Sequence, residues 1–111
     1  MSIKNRVQLI GNIGKAPEIK TLESGNKVAN FSLATNESYT NKEGERVINT
    51  HWHNIVAWGK TAEIIEKYVG KGSQVGILGK LQNRSYDRED GTKVYVTEVL
   101  ANEILLLDKK E

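Results

Sequence analysis

The chain contains no cysteine among its 111 residues. That absence excludes a disulfide framework and a thiolate metal site, and it is compatible with the reducing cytoplasm. Long apolar runs are absent too, since no stretch approaches the roughly 18 apolar residues that a membrane span requires. The basic N-terminal segment is not followed by the apolar segment of a secretory signal. We therefore expect a cytoplasmic protein.

The chain also lacks a large excess of charge of either sign. The chain has 16 Lys and Arg against 14 Asp and Glu, which gives a formal net charge of +2. Net charge alone therefore cannot hold a nucleic acid, so binding would need cations placed on one face together with stacking. The length corresponds to a single domain. We expect this domain to cover residues 1–107, followed by a short, frayed polar tail over residues 108–111.

The most informative segment covers residues 51–60 and reads HWHNIVAWGK. Trp52 and Trp58 are an even number of residues apart, so a β-strand places both indoles on one face, together with Asn54 and Val56. Two tryptophans on a face that ends at a basic Gly-Lys pair indicate a platform for flat rings such as nucleobases. The same tryptophans are also compatible with the core of a small barrel, and this strand alone leaves both interpretations open.

A second segment, which ends at Arg88, has the same alternation. Its odd positions are apolar or small: Val75, Ile77, Gly79 and Leu81. Its even positions are basic or polar: Lys80, Gln82, Arg84, Tyr86 and Arg88. The pattern predicts a strand with one buried face and one basic, solvated face. Tyr86 has an arginine on each side there, which suits a base and its phosphates, although simple stacking of Tyr on Arg is the alternative.

The first half of the chain reads as strands. The alternation predicts strands over residues 4–14, 18–23 and 27–36, the second of them short. The polar turn at residues 41–45 joins the third segment to the strand of Trp52 in a long hairpin.

The second half begins with a helix. Thr61 is the expected N-cap, Gly70 the expected C-terminal stop, and the apolar stripe consists of Ile64, Ile65, Tyr68 and Val69. The last two strands form a hairpin that turns at residues 87–92 and ends near Leu107. A bulge or bend is expected near Glu98, where the apolar residues change parity.

This order of elements predicts an all-β fold with five principal strands and one α-helix between the third and the fourth. It is the order of the five-stranded Greek-key OB barrel, which binds oligonucleotides on the face of its second and third strands and through its loops. The aromatic residues singled out above fall on that face or on the hairpins.

The chain resembles the bacterial single-stranded DNA-binding protein family, SSB, over nearly its whole length. The resemblance is carried by the segments VQLIGNIG (7–14), VANFSLATNESY (28–39), WHNIVAWGKTAE (52–63) and KGSQV (71–75). It implies sequence-tolerant binding and protection of single-stranded DNA in replication, recombination and repair. It also implies a homotetramer, a nucleoid-associated location and no cofactor.

The resemblance assigns base stacking to four aromatic positions, which are Tyr39, Trp52, Trp58 and Tyr86. Asn54 stands where many members have an arginine, so one phosphate contact of the family is not expected here. His53 matches a histidine near the subunit interface. Charge on the predicted faces and loops suggests a phosphate path made of Lys4, Arg6, Lys60, Lys71, Arg84 and Arg88.

The family typically carries a disordered tail with an acidic tip that recruits repair and replication enzymes. The present sequence reads LLLDKKE over residues 105–111, and we expect no tail-dependent recruitment from it.

Other site types find little support. A metal at His51 and His53 lacks further ligands, and no nucleophile has a base and an orienting partner, so we expect neither a metal site nor an enzyme. An OB-fold protein-interaction module, similar to a primosome component, and an ssRNA-binding module are the alternatives. Stacking alone does not read the 2′-hydroxyl.

Overall fold

A computed structural model describes residues 3–108 and contains six strands and one helix. The strands are β1 (Val7–Ile13), β2 (Glu18–Thr21), β3 (Lys27–Thr40), β4 (Arg46–Trp58), β5 (Gln74–Asp87) and β6 (Lys93–Leu106). The helix α1 (Gly59–Tyr68) lies between β4 and β5 in the chain. No helix within residues 3–108 is long and apolar enough to cross a membrane.

Five of the strands form a closed barrel. The hydrogen-bonded order is β1-β5-β6-β4-β3, and β1 pairs a second time with β3, which closes the circle. The short β2 adds to the free side of β3. All neighbours are antiparallel except β4 and β6, which run parallel. The predicted OB barrel with one helix between the third and fourth principal strands is confirmed.

Strict alternation explains the core. On β3 the odd residues Ala29, Phe31 and Leu33 are buried inside the barrel, and they pair with Ala57, Ile55 and His53 of β4. The helix closes one end of the barrel through Ala62 and Ile65, which are both fully buried. Because odd residues point inward on β3, β4 and β5, the even residues form the outer face.

Two glycines allow the barrel to close. A Cβ on Gly11 would overlap the carbonyl oxygen of Ala34, and a Cβ on Gly79 would overlap that of Leu100. At both points one strand crosses close over the backbone of its neighbour, so only a residue without a side chain fits.

The strands differ from the sequence prediction at their ends. β1 is shorter than expected, whereas β3 continues to Thr40 because its far half pairs with β4 in a hairpin arm that projects beyond the core. Leu81, predicted to be buried, is exposed because it lies in the corresponding arm of β5 and β6. The side chain of Asn5 holds the backbone there, since its amide bonds both the N–H and the carbonyl of Leu81 at 2.9 Å.

The predicted bulge near Glu98 is not present. The β5–β6 register is regular through Glu98 and shifts only opposite Leu78 and Gly79, where Asn102 is the extra residue. The parity change has another cause. Val94 and Val96 lie half-buried on the outer side of the strand, whereas Val99 and Ala101 point into the core.

The helix boundaries also need correction. The helix begins at Gly59, next to an N-cap at Trp58 without a side-chain bond, so Thr61 is not the cap. Gly59 has φ = 59°, a left-handed conformation that lets the chain turn from strand to helix directly. The helix ends at Tyr68 and is followed by Val69 in an extended conformation, and Gly70 does not adopt the left-handed conformation expected of a glycine stop.

Candidate nucleic-acid interface

The two tryptophans lie on the outer face of β4. Trp52 and Trp58 pair with Ala34 and Val28 across an unbroken β3–β4 ladder, so all four side chains point away from the core. Trp52 is 61% exposed and Trp58 is 49% exposed. The shared face predicted from the sequence is therefore present, and the alternative of two core tryptophans is wrong.

Gly14 supports the indole of Trp52. A Cβ on this glycine would lie 2.6 Å from Cζ3 and 2.8 Å from Cη2 of the ring. The ring therefore rests on the bare backbone just after β1, which fixes one side of the indole while much of it remains open to solvent. No local pattern identifies Trp52 as the side chain that contacts Gly14, because the two residues are far apart in the chain.

A groove of about 360 Å³ lies next to the tryptophans on the same outer face. Its floor comes from even residues of three strands, since the β3, β4 and β6 ladders bring Ser32, Asn54 and Val96 to one side of the barrel. Further residues line it: Lys15, Ala16, Glu18, Asn30, Val56, Arg84 and Glu98. Lys15 is an exposed cation that was not among the predicted site residues, because nothing in the sequence of the β1–β2 link indicates which way its side chain turns.

Glu98 is a buried carboxylate in the floor of this groove, with only 4% of its surface exposed. Its Oε1 accepts hydrogen bonds from Gln82 Nε2 and Arg84 Nε, both at 2.9 Å. The bond to Arg84 is also an ion pair, although the arginine side chain is itself more than half exposed. Arg84 was predicted for the phosphate path, and no local pattern indicated its pairing with Glu98, because the two residues lie on adjacent strands.

Tyr86 and Tyr39 lie on the two hairpin arms, and both are about half exposed. Tyr86 pairs with Val94, and its even position places it on the same side of the strand as Arg84 and the groove. Tyr39 pairs with Val47, and its odd position places it on the opposite side of the β3–β4 arm from Trp52. The structure thus brings Trp52, Trp58 and Tyr86 to one outer face and does not bring Tyr39 to it.

The remaining cations predicted for the phosphate path are all exposed. Lys4 and Arg6 precede β1, and Lys60 follows Trp58 directly in the first turn of α1. Lys71 lies in the turn before β5. This turn is bonded to β1, since the N–H of Gly72 donates to the carbonyl of Ile13. Arg88 lies at the tip of the β5–β6 hairpin, where its N–H donates to Thr92. Their contact with phosphate stays a prediction.

The tip of the β5–β6 hairpin is acidic as well as basic. The backbone N–H of Thr92 donates to Asp90 Oδ1 at 2.9 Å. This bond stabilises the carboxylate and holds the pKa of Asp90 below its ordinary value. Asp90 is therefore negatively charged at neutral pH, two residues from Arg88 in the chain.

His53 is half-buried on the inward side of β4 and forms a 2.9 Å hydrogen bond between its Nε2 and Thr35 Oγ1. The bond lies within the chain, and the predicted place of His53 at a subunit interface is not tested by it. Residues 3–108 contain no group of three or more His, Asp or Glu side chains that could hold a metal ion. The predicted tail is mostly outside the described residues, since only Asp108 is described, and its carboxylate accepts from the N–H of Gln74.

Comparison with known proteins agrees with this geometry. The model of the single-strand binding protein family matches residues 4–107. Single-stranded DNA-binding protein 1 of Staphylococcus aureus is 44% identical over 106 residues, which cover 96% of this chain and 67% of that protein. The protein of the same name from Chlorobaculum tepidum is also 44% identical, with the same coverage.

Solved structures show the same fold. The structure of Plasmodium falciparum SSB in complex with ssDNA superimposes with a TM-score of 0.85 and 34% identity, covering 97% of this chain and 98% of that chain. A deletion mutant of the single-stranded DNA binding protein from Thermus aquaticus gives a TM-score of 0.80 at 24% identity, over 94% of this chain and 50% of that chain. The family model covers nearly the whole sequence, so the chain belongs to the single-strand binding protein family.

Proposed function

We propose that this chain binds and protects single-stranded DNA with little sequence preference, as part of replication, recombination and repair. The observation that carries the proposal is the pair of exposed tryptophans, Trp52 and Trp58, on one outer face beside a polar groove. Exposed aromatic rings next to cations suit unpaired bases, whose flat faces stack regardless of sequence. Duplex DNA hides those faces, so the chain prefers single strands.

Four aromatic residues stack bases in this proposal. Trp52, Trp58 and Tyr86 share the groove face, and they form the main platform. Tyr39 lies on the other side of the β3–β4 arm, so it serves only a strand that passes around that arm. The two tyrosines stack bases somewhat more weakly than the tryptophans do.

The phosphates follow the exposed cations Lys4, Arg6, Lys60, Lys71, Arg84 and Arg88. These residues lie before β1, at the start of α1, in the turn before β5 and along the β5–β6 hairpin. Lys60 follows Trp58 directly, which suits a phosphate next to a stacked base. Neutralising Lys60, Lys71 or Arg88, which have no ion-pair partner in the described part of the chain, weakens binding to all sequences alike and lowers the salt slope by somewhat under one unit.

The chain acts by binding and not by catalysis, and it works as a homotetramer associated with the nucleoid. An exposed apolar groove on the outer side of β1, β5 and β6 supports self-association, since it is lined by Ile10, Leu78 and Leu105. Burying such a surface against another copy is favourable. His53 lies near the interface in this proposal.

Intrinsic tryptophan fluorescence tests the function. Oligo(dT) should quench the emission of Trp52 and Trp58, and the affinity should fall with salt less steeply than for a purely electrostatic binder. Poly(dT), poly(U) and duplex DNA, titrated side by side, separate DNA binding from RNA binding and from duplex binding. Unchanged emission at saturating poly(dT) in low salt would contradict the proposed function.

A further inference from the structure

Glu98 is unusual for a surface that binds a polyanion. Among residues 3–108 it is the buried charged side chain, and it lies in the floor of the groove beside the tryptophans. Burying a carboxylate is costly unless it is paired and hydrogen-bonded, and here Gln82 and Arg84 supply both forms of compensation. A negative charge in this position opposes any phosphate that enters the groove.

Arg84 is the partner that carries the consequence. Its Nε donates to Glu98 Oε1, so the guanidinium and the carboxylate form a pair with no net charge. By contrast, Lys60, Lys71 and Arg88 form no ion pair within 4.0 Å in the described part of the chain. A phosphate that approaches Arg84 therefore meets the charge of Glu98 as well, whereas a phosphate at Lys60 or Arg88 does not.

We propose that Glu98 is a positioning residue whose carboxylate neutralises the charge of Arg84. It thereby limits the electrostatic part of ssDNA binding at this groove. The inference rests on the proposed ssDNA-binding function. Arg84 stays on the groove face, but it adds less to counterion release than Lys60, Lys71 and Arg88 do. The aromatic platform then supplies a larger share of the affinity, and the bound strand dissociates more easily at low salt than an all-cationic groove would allow.

The decisive variant is Glu98→Gln. Glutamine keeps the length of the side chain and an oxygen that accepts from Arg84, but it removes the negative charge. Without the carboxylate, the charge of Arg84 is free to neutralise one phosphate. The slope of log K for oligo(dT) against log salt should then become steeper by about 0.7, the value for one phosphate on a single strand. Between 1 M and 0.1 M salt that slope corresponds to a gain in affinity of about fivefold.

The control is Glu23→Gln, in the exposed turn between β2 and β3, which makes the same change in net charge. It should leave both the slope and the affinity close to those of the unchanged protein. Thermal unfolding of each variant shows whether it is folded. The unchanged protein in the same titrations tests the proposed function separately, since absent quenching there contradicts ssDNA binding itself.

Arg84→Gln provides a second test, because Arg84 has little free charge to lose in this proposal. It should weaken binding with almost no change in slope, whereas Arg88→Gln should lower the slope by about 0.7. The double variant Glu98→Gln with Arg84→Gln should lose the steepening of Glu98→Gln alone.

A folded Glu98→Gln protein with an unchanged slope, or with weaker binding, would overturn the proposal. If that variant does not fold, the two arginine variants decide, and equal losses of slope at Arg84 and Arg88 would overturn it.

Discussion

On β4, the side chains of the outer face and the core side chains beneath them have separate roles. Trp52 and Trp58 contribute little to the barrel because roughly half or more of each ring is in solvent, whereas Ile55 and Ala57 between them are buried. Substitutions can therefore separate binding from stability on this strand.

Trp52→Ala and Trp58→Ala should each weaken ssDNA binding by about 1–3 kcal/mol, the usual value for one stacked base. Both proteins should stay folded, since the rings lie outside the core. Affinity and thermal unfolding should be measured together. Tyr95→Ala is the matched control because Tyr95 is highly exposed, yet its odd position on β6 turns it away from the groove face. A tryptophan variant that unfolds but binds normally per folded molecule would mean that the ring is structural.

Gly14→Ala should weaken binding without unfolding the chain. The new methyl group would meet the far end of the Trp52 ring, which is exposed and free to swing away, so the cost falls on the position of the indole. We expect a shifted emission maximum and a smaller quench with oligo(dT), both read from fluorescence. Gly70→Ala checks for a general effect of losing a glycine, because nothing lies within 4 Å of its Cβ position and its φ is not positive. Equal effects at the two glycines would contradict the supporting role of Gly14.

Sequence reasoning at this scale recovers what alternation dictates and misses what only the fold brings together. The common face of Trp52 and Trp58 follows from their spacing within one strand. The contact of Gly14 with Trp52 and the pairing of Arg84 with Glu98 join residues on different elements, so no local pattern reveals them. Arg84 therefore looked like a free cation in the sequence.

Among the elements, β1 and β5 each depend on one glycine to cross a neighbouring strand. Gly11→Ala and Gly79→Ala should each destabilise the barrel by about 3 kcal/mol or more, because the added methyl would overlap backbone oxygen atoms that cannot move aside. Urea unfolding measures the loss. Gly76→Ala, on the same strand as Gly79, is the control, since its Cβ would have neighbours at ordinary distances of 3.6 Å and beyond. Similar stabilities for all three variants would contradict this account of closure.

The number, order and type of the elements could be predicted because β-alternation and the helical stripe are local signals. Their boundaries could not. The arms of β3 and β4 continue past the core as mutually paired strands, where apolar alternation no longer marks the structure. The helix start at Gly59 depends on a left-handed glycine, and the bulge at Asn102 depends on the fit between β5 and β6.

For the whole molecule, we predict a homotetramer in solution at micromolar concentration. The apolar groove of Ile10, Leu78 and Leu105 is the surface that another copy would cover. Leu105→Glu should lower the mass measured by light scattering, because a carboxylate buried at an interface is costly. Ile48→Glu is the control, since Ile48 is equally exposed but lies on the β3–β4 arm. A stable monomer of the unchanged chain would remove this prediction.

The barrel can also be described as two three-stranded sheets joined along two narrow seams. One sheet contains β1, β5 and β6 and the other contains β2, β3 and β4. The seams consist of only two residue pairs each, Asn12 and Ile13 with Ala34 and Leu33, and Ile55 and Val56 with Val99 and Leu100. The helix packs against β3, β4 and β6 and so ties the two halves together.

We therefore expect the two seams to open more easily than either three-stranded sheet, while the helix keeps the sheets joined. The seams hold few hydrogen bonds, so their amide protons should exchange with solvent faster than those in the middle of the β3–β4 and β5–β6 ladders. Hydrogen exchange followed residue by residue would show this as two narrow lines of early exchange. The groove over the β4–β6 seam could then widen and narrow around bases of different size while each sheet keeps its shape.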